Sequence, residues 1–332
     1  MDFKRSRFFL RGLAIALFLL IAACAATVPP PALPEPGLDW QAVPVLPEAI
    51  RHSLSGSVVR QIPDADGTLI PVRLFGSSGR RTPLLMVHGL QSHSGWFSQS
   101  AAFLANLGHP VYVIDRRGSG LSQAPRGDAK DFRLWAADIA AIGAYALKQH
   151  GGQQFFLLGH CFGAIPATVY TELAPATVKG LILTTPGIFT HTSIPPAQML
   201  KIATTVAGER DYYFPVPLDP DQFSELPEYE PFIAADPLAL RAVTGDLYWQ
   251  VHKARQYIET HAGQLTMPIL VGMAGEDEIA DNRRNRAWLA DLPSFDRTEI
   301  VYPDARHILE YSLEQARYFQ DLRQWLSWIE ER

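Results

Sequence analysis

Cysteine is nearly absent. The 332 residues carry two, Cys24 and Cys161, too few for a disulfide framework to be the source of stability. No run of lysine and arginine is dense enough to follow a phosphate backbone, and the net charge is -5, so the chain has no footprint for nucleic acid. Neither an H-E-x-x-H pair nor a Walker-type glycine loop occurs, so no metal or organic cofactor is implied. Internal repeats are missing. So is the low apolar content of a disordered chain, since 47% of residues are hydrophobic, enough for an ample core. The apolar stretch Phe8 to Ala23 holds 16 residues, with Arg11 among them, short of the ~20 that span a bilayer comfortably.

Lys4, Arg5 and Arg7 precede that stretch, so residues 1–23 read as an export signal. It closes on Ile21-Ala22-Ala23-Cys24, which resembles the bacterial lipobox. The resemblance implies cleavage before Cys24, a diacylglycerol on its sulfur, and membrane attachment through that lipid. Ala25, standing where an inner-membrane lipoprotein would carry Asp, favours the periplasmic side of the outer membrane. A plain membrane anchor and an ordinary cleaved secretory signal are the alternatives. The first 23 residues hold four bases and one acid, so the rest of the chain carries -8 against -5 for the whole. With Cys24 lipidated, Cys161 would be the sole free thiol of an exported protein, which points to chemistry over framework. Residues 24–50, with seven prolines from Pro29 to Pro47, read as an extended tether. The folded part is expected to start near Arg51.

Beyond the tether, periodicity predicts a β-hairpin, Ser57 to Ile62 and Leu69 to Phe75, around Asp64-Ala65-Asp66-Gly67. The run Pro83 to His88 has no polar alternation until its end, as in a strand buried on both faces. Strands and helices then alternate: a helix at Trp96 to Leu107, a strand at Val111 to Asp115, a helix at Phe132 to His150 stopped by Gly151-Gly152, and strands at Phe155 to Gly159 and Leu181 to Thr184. Pro268 to Met273, Asn282 to Leu292, Thr298 to Tyr302 and a helix from Ser312 complete the series. Repeated β-α-β units predict an α/β fold with a mostly parallel sheet flanked by helices. The series assigns residues 51–187 and 267–332 to one core. Residues 188–266, rich in proline and aromatics, break the rhythm and read as an inserted, mostly helical cap.

The local pattern richest in chemistry is Gly159-His160-Cys161-Phe162-Gly163, set between a predicted strand and an alanine-rich helical stretch. Strand, G-x-nucleophile-x-G and helix make a nucleophile elbow, whose glycines are required where a β-carbon would clash. With His88-Gly89-Leu90, Asp115 to Ser122, Gly275-Glu276-Asp277 and Arg306-His307 in that order, the chain resembles the α/β-hydrolase superfamily. The spacing and the cap are similar to its monoacylglycerol lipase, lysophospholipase and serine-aminopeptidase-like branch. Residues 55 to 331 carry the likeness. Serine is the usual nucleophile there, and Cys161 departs from it.

That resemblance implies acyl-ester hydrolysis by a Cys161-His307-Asp277 triad through a thioester acyl-enzyme. Asp281 and Glu278 are further candidates for the acid. The Leu90 and Phe162 amides would form the oxyanion hole, where each donor is worth ~3 kcal/mol of barrier. Thiolates are favoured at helix N-termini and beside an imidazolium. Because thioesters pass acyl groups readily to amines and thiols, an acyltransferase on the same triad is one alternative; a non-catalytic acyl-binding lipoprotein is another. The expected partners are a small acyl-ester or lipid substrate and a membrane reached through Cys24. Gln91, Ser92, His93 and Ser94 are either an entrance lining or a polar loop; Asp115 to Ser122 reads as scaffold; His191, His252 and His261 read as surface or packing residues. Glu225, Glu228 and Glu230 are the acids a peptidase cap could use to hold a free N-terminus.

Overall fold

The computed structural model describes residues 27–35, 38, 40, 43–191, 196–208 and 212–332. The export signal and Cys24 fall outside them. Among the described residues ten strands form: β1 (Val58–Pro63), β2 (Leu69–Phe75), β3 (Leu84–Val87), β4 (Val111–Ile114), β5 (Phe155–His160), β6 (Val178–Thr184), β7 (Tyr213–Pro215), β8 (Ala242–Thr244), β9 (Ile269–Ala274) and β10 (Arg297–Tyr302). The helices are α1 (Glu48–Leu54), α2 (Ser98–Asn106), α3 (Arg133–His150), α4 (Ala164–Leu173), α5 (Pro196–Gly208), α6 (Glu230–Ala235), α7 (Gly245–His261), α8 (Asn282–Ala290) and α9 (Gln315–Glu330). Among the described residues no helix is long and apolar enough to cross a membrane.

Eight strands share one sheet in the order β1-β2-β4-β3-β5-β6-β9-β10. The β1–β2 and β2–β4 pairs are antiparallel and the other five are parallel. Every residue of β3, β4, β5 and β9 is buried, because crossover helices cover both faces of a parallel sheet. Helix α9 packs through Tyr318, Leu322, Trp325, Leu326 and Ile329, a spacing of three and four that puts one stripe against the core. This is the α/β-hydrolase architecture, with strand positions within a few residues of those expected.

Between β6 and β9, the segment read as a cap contains α5, α6, α7 and a ribbon of β7 against β8. Its prolines deny the backbone donors that longer helices would need. Phe223, Tyr229 and Phe232 are buried and pack the cap to the body through Trp96 and Tyr311, while Phe214 is buried against Tyr248 within the cap.

The folded body begins earlier than Arg51, which corrects the boundary of the tether. Helix α1 starts at Glu48 and buries Ile50 and Leu54, and Val28 forms a bridge to Tyr213 of the cap. Trp40 is only 2% exposed. Its indole lies edge-on to His93 and Phe232, and its Nε1 donates to Asp236 at 2.9 Å. Proline spacing hid this anchor, because an indole's large apolar face and single donor matter only once a buried acceptor is present.

Asp236 also accepts from His93 Nε2 (2.9 Å), Trp96 Nε1 and the Leu238 amide (2.9 Å). Burial works to raise its pKa, but His93 and the other donors outweigh it and hold it below the usual carboxylate value. One carboxylate thus ties the N-terminal segment, the loop after β3 and the cap together. Asp236→Ala would strand three buried side-chain donors, and a loss of about 3 kcal/mol or more is expected, read as a lowered melting temperature. Since the folded pKa is depressed, this contribution is present above the usual carboxylate range and is lost as pH falls through the folded value. An unchanged melting temperature would show that the junction does not hold the fold.

Candidate active site

At the end of β5 the chain turns sharply. Cys161 adopts φ 51°, which among described non-glycine residues only Thr185 (φ 41°) shares the sign of. Strain of this kind persists where the surroundings over-determine it. A Cβ at Gly159 would come within 2.6 Å of the Gly163 carbonyl oxygen, and one at Gly163 within 2.0 Å of the Val87 oxygen. Both glycines are therefore fixed by contact, and Cys161 is lifted to the carboxyl edge of the sheet.

Two loops carry the other members of the expected triad, and His307 Nε2 is buried with no hydrogen-bond partner among the described residues. Asp277 follows β9, and its Oδ1 accepts from the Ile279 and Ala280 amides, each at 2.9 Å. His307 follows β10 and donates from Nδ1 to that carboxylate at 2.9 and 3.0 Å. The cap holds the same loop, since the Ile308 amide donates to Phe223 O at 2.8 Å. Burial pulls the His307 pKa down, but Asp277 and then Cys161 outweigh it and push it up to about 10. The neighbouring His160 ring lies 5.2 Å from that of His307. Burial, and then His307's charge, hold its pKa well below the usual value, so it adds no second cation. The other acids take structural posts: Asp281 caps α8 through the Arg284 amide (3.0 Å), and Glu278 is exposed.

Leu90 lies just past β3, and its amide has no acceptor among the described residues. Arg116, within the motif that reads as scaffold, organises this loop. Its Nη2 donates to the carbonyls of Gly89 (2.8 Å) and Leu90 (3.0 Å), and its guanidinium sits 4.5 Å from the centre of the Phe162 ring. Burial lowers its pKa to about 9, against the pull of Cys161 and Asp115. Arg117 beside it engages Asp138, Asp66 and Asp64, so one arginine of the motif is tied to carboxylates and the other to the loop at Leu90. The only available signal was that doubled arginine. Arg116→Met is expected to lower kcat about tenfold to a hundredfold with little change in KM, because it holds the loop and contacts no substrate. A change confined to KM would contradict this.

A cavity of about 710 Å³ opens onto Cys161, Leu90 and Phe162 from beneath the cap. Gln91, Ser92, His93 and Ser94 do not line it. All four are buried; Gln91 reaches the Leu218 carbonyl, His93 reaches Asp236 and the Ser94 amide reaches Asp115. The stretch is a buried polar loop that serves as a fastening, the second of the two readings. His252 is exposed, in keeping with the surface reading, and also contributes to the cavity lining. Glu225 is occupied by the Arg306 and Leu313 amides. Neither it nor Glu228 or Glu230 lines the cavity.

Residues 79–314 match the sequence family described as serine aminopeptidase, S33. The chain is 25% identical to the monoglyceride lipase of Homo sapiens over 272 residues, 80% of this chain and 88% of the relative. It is 22% identical to the monoglyceride lipase of Saccharomyces cerevisiae over 277 residues, 76% and 86% of the two chains. Among solved structures, the Paleococcus ferrophilus monoacylglycerol lipase superposes with a TM-score of 0.70 at 22% identity, covering 78% of this chain and 99% of that one. A soluble variant of the S. cerevisiae monoglyceride lipase, in complex with a substrate analog, gives 0.72 at 18% identity, covering 83% and 97%. These structural likenesses show a shared fold.

Proposed function

Because the chain belongs to the serine aminopeptidase S33 family and is an α/β-hydrolase acting on ester bonds, we propose that it cleaves single-chain acyl esters, of monoacylglycerol or lysophospholipid type, through Cys161, His307 and Asp277. The observation that carries the reading is the pairing of His307 Nδ1 with Asp277 at 2.9 Å beneath the strained elbow of Cys161. The Cys161 thiol gives its proton to His307 Nε2 and its sulfur attacks the ester carbonyl, while the Leu90 and Phe162 amides take the oxyanion. The carbon–oxygen bond then breaks as His307 Nε2 gives its proton to the departing alcohol. Water, deprotonated by His307, cleaves the resulting thioester, releasing the fatty acid and restoring the thiol. Asp277 holds the ring and balances the imidazolium.

The apolar cavity wall and the monoglyceride lipases among the relatives support a greasy acyl chain. A free peptide N-terminus is a poor match. Among the described residues no Asp or Glu lines the cavity, and its one formally charged lining residue is Arg255. Incubation with 1-palmitoylglycerol and with its 3-phosphate tests the reading: palmitate equimolar with glycerol or glycerol phosphate is expected from at least one, and no release from either would overturn it. Cys161 itself favours acyl transfer as a second reading, which an added amine or alcohol acceptor separates by the appearance of acylated product. The lipobox at Ile21 to Cys24 supports attachment of the protein to a bacterial membrane through a lipid on Cys24. Labelled palmitate should enter the wild-type chain in cells and not Cys24→Ser.

A further inference from the structure

The cavity wall is apolar except at a few points, and one of them is a cation close to the reacting atom. Arg255, on α7, donates from Nη2 to the Gly187 carbonyl at 3.3 Å, and the Gly187 amide donates to the Cys161 carbonyl at 2.8 Å. The guanidinium thus stands one residue away from the nucleophile. Among the described residues its buried Nε has no acceptor and no carboxylate lies within ion-pair distance of it. Burial and the repulsion of Arg284 pull its pKa down to about 10, while Cys161 and, more weakly, Glu259 pull it up. A guanidinium sunk into an apolar wall with one weak acceptor is costly. Its planar fork matches two anionic oxygens.

We propose that Arg255 is an anion-recognition residue: the acyl ester bound in this cavity carries a phosphate or carboxylate group that pairs with the guanidinium. The position of the ester follows the Cys161 reading above, but the anion site is defined by Arg255 and the cavity wall alone. A competing role, steadying negative charge on Cys161 through space, would act on every ester alike.

Two measurements separate these. In the full chain carrying Cys161→Ala, calorimetry compares hexadecyl phosphate with hexadecanol. The phosphate is expected to bind about thirtyfold tighter or more, Arg255→Met to erase the preference and Arg255→Lys to restore part of it. Equal binding of the two amphiphiles, or a preference that survives Arg255→Met, would overturn the proposal. This readout needs no turnover, so it can fail while acylation of Cys161 stands, and the reverse. Turnover then locates the anion. The 3-phosphate of 1-palmitoylglycerol carries it on the leaving alcohol, the glyceryl monoester of hexadecanedioic acid carries it at the chain end, and 1-palmitoylglycerol carries none. One charged ester should exceed the neutral one in kcat/KM by about thirtyfold or more, mainly through KM, and lose that margin in Arg255→Met. An equal fall in kcat for all three would assign Arg255 to the nucleophile and overturn the proposal.

Discussion

Cys161→Ala is expected to lower kcat/KM for a single-chain acyl ester by about 10⁴-fold or more. The substitution removes the only sulfur at the elbow and leaves the Leu90 and Phe162 amides and the cavity in place, so residual rate comes from binding and the oxyanion donors alone. The fold should survive. Both residues are L-amino acids with a β-carbon, so the strain at φ 51° is unchanged, and loss of one small buried side chain costs about 1 kcal/mol. Cys161→Ser puts a hydroxyl in place of the thiol and should retain more activity than alanine. Turnover of 1-palmitoylglycerol, with melting temperatures as the control for folding, decides this. Equal rates in wild type and Cys161→Ala would remove the mechanism.

Asp277→Asn should be nearly as damaging, by about 10³- to 10⁴-fold. The asparagine keeps the shape but loses the charge that does most to raise the His307 pKa, and an amide nitrogen turned toward Nδ1 would favour the wrong tautomer. The pH profile carries the sign. His307 is raised to about 10, above the ~6.5 of an unperturbed imidazole. Its contribution to stability is therefore fully present below about 6.5 and lost as pH rises through about 10. Activity that depends on the imidazolium falls on that same alkaline limb, and in Asp277→Asn the limb should move to lower pH. A limb that stays in place would mean that a different group sets it.

Much of this site was legible because its signals are local. Gly159 and Gly163 bracket Cys161 within five residues, and the contacts that forbid side chains there come from the adjoining strand and helix. Asp277 and His307 were legible through position, each following a strand whose apolar run is unmistakable. What stayed hidden depends on contacts far apart in sequence. Arg116 and Arg117 are neighbours in one motif, yet only the fold shows Arg117 meeting Asp64, Asp66 and Asp138 while Arg116 turns to the loop at Leu90. Trp40 sits among prolines, and its partner Asp236 is 196 residues away. Arg255 looks like any surface residue of a helix until the cavity wall is assembled around it.

The central claim is that the acyl group passes through Cys161, and rapid-quench mass spectrometry of the intact protein with an activated palmitoyl ester tests it most directly. One palmitoyl group per chain is predicted, mapping to the peptide containing Cys161, released by neutral hydroxylamine and missing from Cys161→Ala. Turnover with Cys161 unmodified at every quench time, or an acyl group on another residue, would contradict the account.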